Sequence, residues 1–354
     1  MRDLKKILII RFSSIGDIVL ASPLVRVLRK TYPNAQIDFL VKKEYAELVQ
    51  FNPHLTSIIV LTSSEKEELK AFRDSIRASR YDLIIDLHNS LRSRYLRWFS
   101  GARYIRVVDK RVVARFLLVN FKWNFYRGVL SVPDRYLETV KHIGVRDDGK
   151  GLEIFIPEET TMAVGAIRSK YKLEHFDTTL GIAPMAKHST KRWLPERFVE
   201  FGVRSAEDHR TKILIFGSRE ESDACGDIAQ MINAEVGSSV AESLAGRLSL
   251  LETAAALDYC DLVVSNDTGI MHLAAARKKN VVAIFGSTVR EFGFYPYGTE
   301  SIVVEREGLS CRPCSHIGRE ECPKGHFRCM KDILVDDVIQ AAKKLRVTQT
   351  SVTT

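Results

Sequence analysis

Short continuous apolar runs alternate with longer amphipathic stretches along the chain. Ile7-Leu8-Ile9-Ile10, Leu83-Ile84-Ile85, Leu262-Val263-Val264 and Val281-Val282-Ala283-Ile284-Phe285 are runs of this kind. Unbroken apolarity over so few residues predicts strands buried on both faces. Strands are expected over 7–12, 36–41, 57–61 and 83–87, with helices over 19–30, 65–78 and 91–99 between or after them. A second series begins near Thr179, with strands over 180–183, 212–216, 262–265 and 281–285. Its helices are expected over 196–207, 221–233, 250–259 and 272–278. Strands alternating with helices predict parallel sheets covered on both faces, an α/β class of fold. A polar helical stretch without strand signal separates the two series between Pro157 and Asp177. The expected architecture is two doubly wound parallel-sheet domains facing each other across a cleft. They would occupy 1–160 and 177–347, joined by a linker over 161–176 and followed by a Thr/Ser-rich, frayed tail over 348–354.

At 354 residues, with 45% hydrophobic and 27% charged residues, the composition is that of a globular chain of two ordinary domains. No apolar run approaches the roughly 20 residues of a membrane helix. The 7–10 run is too short for the core of a signal peptide. A cytoplasmic protein is expected. The net charge of +9 sits almost entirely between Leu91 and Leu130, where ten Lys or Arg residues face one acid, Asp109. Arg92, Arg94, Arg97, Arg103, Arg106, Arg111 and Arg115 are interleaved with Tyr95, Trp98, Phe99 and Tyr104. Such a stretch suits an anionic partner, whether nucleic acid, acidic lipid headgroups or a phosphorylated glycan; it equally describes a solvated basic face. No nucleic-acid-binding motif accompanies it, and no nucleic-acid partner is expected.

Three turns carry candidate chemistry. Ser265-Asn266-Asp267-Thr268-Gly269-Ile270-Met271-His272 lies between an apolar run and the alanine-rich Leu273-Ala274-Ala275-Ala276. It reads as a strand end, a tight turn and a helix start, the arrangement that holds phosphates in open α/β sheets. Asp267 and Thr268 are N-cap types, Gly269 permits close approach of a ligand, and His272 lies one helical turn beyond Thr268. A capped structural helix fits the same residues. After the first strand, Ser13-Ser14-Ile15-Gly16-Asp17 places small residues and a carboxylate at another helix start, where the dipole favours the charged form; locally, Asp17 is a cap. In the third turn, Lys187-His188-Ser189-Thr190-Lys191-Arg192-Trp193-Leu194-Pro195 brings cations to a strand end, as a diphosphate requires. Trp193 could also plug that loop against the core.

Together these turns resemble the glycosyltransferase family 9 heptosyltransferases, enzymes of the lipopolysaccharide inner core. The resemblance rests on residues 9–19 with Ser22-Pro23-Leu24, on Lys191-Arg192-Trp193 with Pro195, and on 265–272, with weaker support from Pro184, Phe216-Gly217-Ser218 and Phe285-Gly286-Ser287-Thr288. It spans about 6–330. It implies the GT-B fold, two Rossmann-like domains with the active site between them. It also implies an inverting, metal-independent transfer of heptose from ADP-heptose, with Asp17 as catalytic base and Lys191 as the donor-phosphate lysine. By the same resemblance Asp267, Thr268, Gly269 and His272 hold the nucleotide-sugar. Some members have a Glu soon after the turn corresponding to Gly217-Ser218; here Glu220, Glu221 or neither takes that role. Ser13, Ser14, Arg92, Arg94 and Arg97 are candidate contacts for an anionic, lipid-linked glycan acceptor at the inner leaflet, which would make the enzyme peripheral to the cytoplasmic membrane. A UDP- or GDP-sugar transferase or a sugar-nucleotide epimerase is the alternative, because nucleobase choice depends on pocket lining.

The cysteines are unevenly placed. Cys225 and Cys260 are isolated in helical or strand patterns and read as buried thiols. Cys311, Cys314, Cys322 and Cys329 fall within 311–330 at spacings of two, seven and six residues. In a cytoplasmic protein that clustering suggests a structural zinc, although the second pair is not a knuckle and the implied chemistry needs no cofactor. Reduced structural thiols or redox-labile pairs are the other readings.

Overall fold

The computed structural model describes residues 4–62, 65–207 and 210–350, the last four of these as backbone only. The chain divides into two compact units. One takes Met1–Val112 and Leu130–Phe155; the other takes Val113–Val129 and Ile156–Thr354.

The first unit holds a five-stranded sheet of β1 (Lys6–Ile10), β2 (Gln36–Lys42), β3 (Ser57–Leu61), β4 (Leu83–Asp86) and β5 (Tyr104–Val107). Every pairing is parallel, in the order β3-β2-β1-β4-β5. β1 and β4 are almost wholly buried, which is why they read as unbroken apolar runs. The strand order reverses between β1 and β4, so the loops leaving these two strands part and open a crevice at their carboxyl ends.

A single helix over 19–30 is expected from periodicity, but the chain forms two, Ile15–Val19 and Ser22–Thr31. Pro23 explains the restart: it has no N–H to donate into a continuing helix and sits well in a first turn. The second of these helices buries Leu24, Val25, Val27 and Leu28. Its Arg26 is also buried and clamps the 148–153 segment, which ties Leu130–Phe155 back to the first unit. Arg26 Nε and Nη2 meet Asp148 at 3.0 and 2.7 Å, Nη2 also donates to Gly151 O, and Nη1 lies 2.9 Å from Glu153.

The second unit's sheet has six parallel strands: β6 (Thr178–Ala183), β7 (Thr211–Ile215), β8 (Ala241–Ser243), β9 (Leu262–Asn266), β10 (Asn280–Phe285) and β11 (Ser301–Glu305). Their order is β11-β10-β9-β6-β7-β8, so the reversal falls between β6 and β9. Its core packs Trp193, Phe198 and Phe201 against Leu180, Ile182, Ile213 and Val264. The helix Glu158–Lys170 runs through most of the stretch expected as a linker. The last helix, Val335–Thr350, runs through the beginning of the expected frayed tail, whose remainder lies outside the described residues. Among the described residues no helix is long and apolar enough to cross a membrane.

Candidate active site

In the first unit the turn after β1 sits at the sheet's reversal point. Arg11 follows the strand and is buried, and its Nη1 donates to Leu87 O at 2.5 Å across the reversal. Its Nη2 lies 2.6 Å from Asp17 Oδ1. The other carboxylate oxygen, Oδ2, accepts from the Ser14 hydroxyl at 3.0 Å and the Ser14 N–H at 3.3 Å. The Tyr136 hydroxyl donates to Oδ1 at 3.4 Å, and the Arg11 cation stands 5.9 Å from the Tyr136 ring centre. Burial pushes the Asp17 carboxyl upward, but the Arg11 charge and the Ser14 donors outweigh it and hold the group below the usual carboxylate range. Asp17 is thus an ionised carboxylate tied into its turn.

His88, after β4, packs on Phe12 with ring centres 4.7 Å apart. Burial, with Arg11 and Lys110 nearby, pushes its pKa down to about 3, so its imidazole is neutral at ordinary pH.

In the second unit, the loops after β6 and β9 flank the other reversal point. Asn266 knits them together: its Nδ2 donates to Pro184 O at 2.6 Å and its Oδ1 accepts from Trp193 N at 3.1 Å. Trp193 is fully buried and its ring N–H donates to Ile333 O, so this residue does plug the loop against the core. With the loop fixed, Lys191 Nζ stands 2.7 Å from Asp267 Oδ2, and Thr288 Oγ1 donates to the same oxygen at 2.8 Å. Thr268 is the extended N-cap residue of the helix Gly269–Ala276 and makes no side-chain capping bond; its hydroxyl lies 3.3 Å from that of Ser265. The first-turn N–H groups after Thr268 have no partner within the helix, as at any helix start. Cation, helix start and reversal point therefore coincide, and this arrangement suits a diphosphate. His272 lies inside that helix, buried, with its ring centre 6.4 Å from that of Phe294.

The remaining candidates fall in different settings. Glu220 is exposed, whereas Glu221 accepts from Ser218 N at 2.8 Å and caps its own turn. Arg92 and Arg94 are exposed on the helix Leu91–Trp98. Arg97, on the same helix, is instead drawn inward, with Nη1 at 2.6 Å from the fully buried Asp86. The basic stretch is also divided, because Arg115 belongs to the second unit and the arginines before it to the first.

The four clustered cysteines do line one small void with Thr190, Ser287 and Arg312. All are free thiols, and among the described residues no three His, Cys, Asp or Glu side chains converge as a metal-holding group. Burial pushes the Cys329 thiol up to about 12 and raises Cys314 as well, so without a metal these two are protonated. Their shared void accommodates reduced structural thiols, and a structural zinc would have to deprotonate them on binding. The segment also braces the lysine loop, since Thr190 N donates to Arg319 O at 3.0 Å and Arg319 N donates to Thr190 Oγ1 at 2.8 Å.

The family model of glycosyltransferase family 9 (heptosyltransferase) matches residues 69–324. The chain belongs to this family. As a family 9 glycosyltransferase it is similar to lipooligosaccharide heptosyltransferase 2 of Campylobacter jejuni. The two are 25% identical over 334 residues, which cover 94% of this chain and 95% of that one. Among solved structures, a family 9 glycosyltransferase from Veillonella parvula superposes with a TM-score of 0.77 at 23% identity, covering 98% of each chain. The Escherichia coli ADP-heptose lipopolysaccharide heptosyltransferase II superposes with a TM-score of 0.70 at 22% identity, covering 98% and 99%. These likenesses show the GT-B fold that the two parallel sheets express.

Four further residues complete the two candidate constellations. Arg11, Asn266 and Thr288 lie within the quoted motifs, although the sequence assigns them no role of their own; Arg11 also stands out as a cation at the end of an apolar strand, where charge is costly without a partner. Tyr136 lies outside every motif and reaches Asp17 from 119 residues away along the chain.

Proposed function

We propose that this glycosyltransferase moves heptose from ADP-heptose to a lipopolysaccharide inner-core acceptor, inverting the anomeric centre without a metal ion or other cofactor. The observation that carries the donor half is the Lys191–Asp267–Thr288 cluster beside the helix start at Thr268 and Gly269. A diphosphate there would meet the Lys191 ammonium and the first-turn N–H groups, whose value grows as negative charge develops on departing ADP. The C. jejuni relative is a heptosyltransferase and the E. coli one an ADP-heptose heptosyltransferase, which supports heptose as the transferred sugar and ADP-heptose as the donor. Asp267, Thr268, Gly269 and His272 shape the donor pocket, and Glu220 is the exposed carboxylate available to the donor's hydroxyls.

Asp17 acts as the general base. Its carboxylate takes the acceptor hydroxyl's proton, the acceptor oxygen bonds to the anomeric carbon, and the sugar–phosphate bond breaks with its electron pair leaving on ADP. The Ser14 hydroxyl on Asp17 Oδ2 occupies a position that an acceptor hydroxyl could take over, because both donors are small and Ser14 is exposed. Ser13 lines the same turn. Arg92 and Arg94 supply charge to an anionic, lipid-linked acceptor, and the enzyme works in the cytoplasm against the inner leaflet.

The test is transfer to a deacylated, soluble inner-core acceptor from ADP-heptose and from UDP- and GDP-sugars, with and without a chelator. ADP-heptose should be the productive donor, and the product should have the anomeric configuration opposite to the donor's. Transfer only from a UDP- or GDP-sugar, or epimerisation of the donor without acceptor, would overturn the assignment.

A further inference from the structure

The helix Val112–Phe121 is apolar almost all round, with only Arg115 and Asn120 as polar side chains. Such a helix is normally enclosed in a core. Here Leu118 is its one buried residue. Val113 and Phe116 on the helix, Phe121 at its end, and Trp123 and Phe125 beyond it are each more than half exposed. Five large apolar side chains open to solvent within thirteen residues form a patch of the kind that marks a contact surface. The aromatics are also clustered, with ring centres 6.0 Å apart for Phe116 and Phe121 and 5.3 Å for Phe121 and Trp123. Polar contacts hold the far end of the segment on the second unit. Lys122 Nζ donates to Pro313 O at 2.7 Å and Asn124 Nδ2 to Glu291 Oε1 at 2.9 Å. The patch is therefore presented on a fixed mount.

We propose that residues 112–127 form a membrane-docking face that inserts Val113, Phe116, Phe121, Trp123 and Phe125 into the interface of an anionic bilayer. Charge decides between this occupant and a second copy of the chain. Residues 113–129 carry Arg115, Lys122 and Arg127 and no acid. A two-fold pairing would set this cationic segment against itself, and like charges facing each other disfavour it. Acidic headgroups complement the same cations, and Lys and Arg can lay their stems on apolar surface with their charges in the headgroup layer. Trp123 and Tyr126 are residue types that settle at membrane–water boundaries. The face rests on the proposed reading in one respect, that the acceptor is lipid-linked; it brings the enzyme to the surface where that acceptor lies.

The test uses full-length protein and vesicles of phosphatidylethanolamine with phosphatidylglycerol, against vesicles of phosphatidylcholine alone. The wild type should sediment with the anionic vesicles and bind the zwitterionic ones much more weakly. In a Trp98→Phe background, Trp123 emission should shift to the blue on binding, because Trp193 is already buried. Phe116→Ser with Trp123→Ser should lower partitioning by about tenfold or more, while transfer to the deacylated acceptor is kept. Wild type that ignores anionic vesicles, or a double variant that binds them as well as wild type, would overturn the proposal. So would a concentration-dependent dimer abolished by the double variant, which would assign the face to a second copy. Loss of transfer to the soluble acceptor by wild type would instead count against the enzymatic reading and leave the docking result standing.

Discussion

Arg11 and Asp17 stand 2.6 Å apart on either side of the first turn, the guanidinium closing the end of β1 and the carboxylate opening the next helix. Arg11 is buried and also holds Leu87 O, so the pair ties the turn after β1 to the strand beyond the reversal point. Asp17 therefore holds its turn, and in the proposed mechanism the same carboxylate serves as base.

Asp17→Asn should lower kcat by about 10²–10⁴-fold, the usual share of a general base. It should also lower the melting temperature, because it leaves the buried Arg11 without its counter-charge. Thermal melting and single-turnover transfer measured on the same preparation check both. Wild-type turnover in Asp17→Asn would end the catalytic assignment.

Arg11→Gln separates the duties from the other side. Arg11 lowers the Asp17 pKa, so its removal should raise that pKa and move the acidic limb of the kcat/KM profile to higher pH. A destabilised variant with an unmoved acidic limb would show that the limb belongs to another group.

Lys191→Ala should cost about 2–4 kcal/mol in kcat/KM for the nucleotide-sugar, comparable to losing one oxyanion donor. Binding of intact ADP-heptose should weaken less, since the full charge of departing ADP develops only as the bond breaks. Asp267→Asn should release the lysine from its 2.7 Å partner and impair donor use without abolishing it. Calorimetric ADP-heptose titration without acceptor, beside steady-state kinetics, gives both quantities. Unchanged kcat/KM in Lys191→Ala would make this loop structural.

The Arg26–Asp148 clamp predicts an acid-sensitive first unit. The Arg26 hydrogen bonds hold the Asp148 pKa down at about 2, below the roughly 3.9 expected when unfolded. A depressed carboxyl pKa stabilises the fold above the unfolded value, and that contribution is lost as pH falls from about 4 through about 2. Denaturation midpoints measured from pH 5 to pH 2 should fall more steeply for wild type than for Asp148→Asn. Parallel curves would show that the clamp contributes nothing to this limb.

Chelation should leave the transfer rate unchanged, because no step in the proposed displacement calls on a metal. Elemental analysis and a thiol titration of native protein complete the check on Cys311, Cys314, Cys322 and Cys329. A stoichiometric metal would assign the four cysteines to it, and activity lost on its removal with the fold intact would contradict the metal-free chemistry.

The sequence by itself determined the two parallel sheets, since β1, β4, β9 and β10 are buried on both faces and only continuous apolarity satisfies that environment. It also marked Asp17, Lys191 and Thr268, because turns at strand ends need small, capping or charged residues within a few positions of one another. It did not reveal β5, β8 or β11, which are edge strands, half-exposed or only three residues long, and so lack a clear apolar signature. Nor did it show that Arg97 turns inward to Asp86, or that Lys191 and Thr288 meet on one oxygen of Asp267. Those partners lie 11, 76 and 21 residues apart in the chain. Local pattern carries no record of such separations; only the folded sheet order brings them within hydrogen-bonding distance. The exposed face of 112–127 follows the same logic. Its sequence is that of a core helix, and only tertiary packing, by leaving it uncovered, distinguishes an exposed face from an interior one.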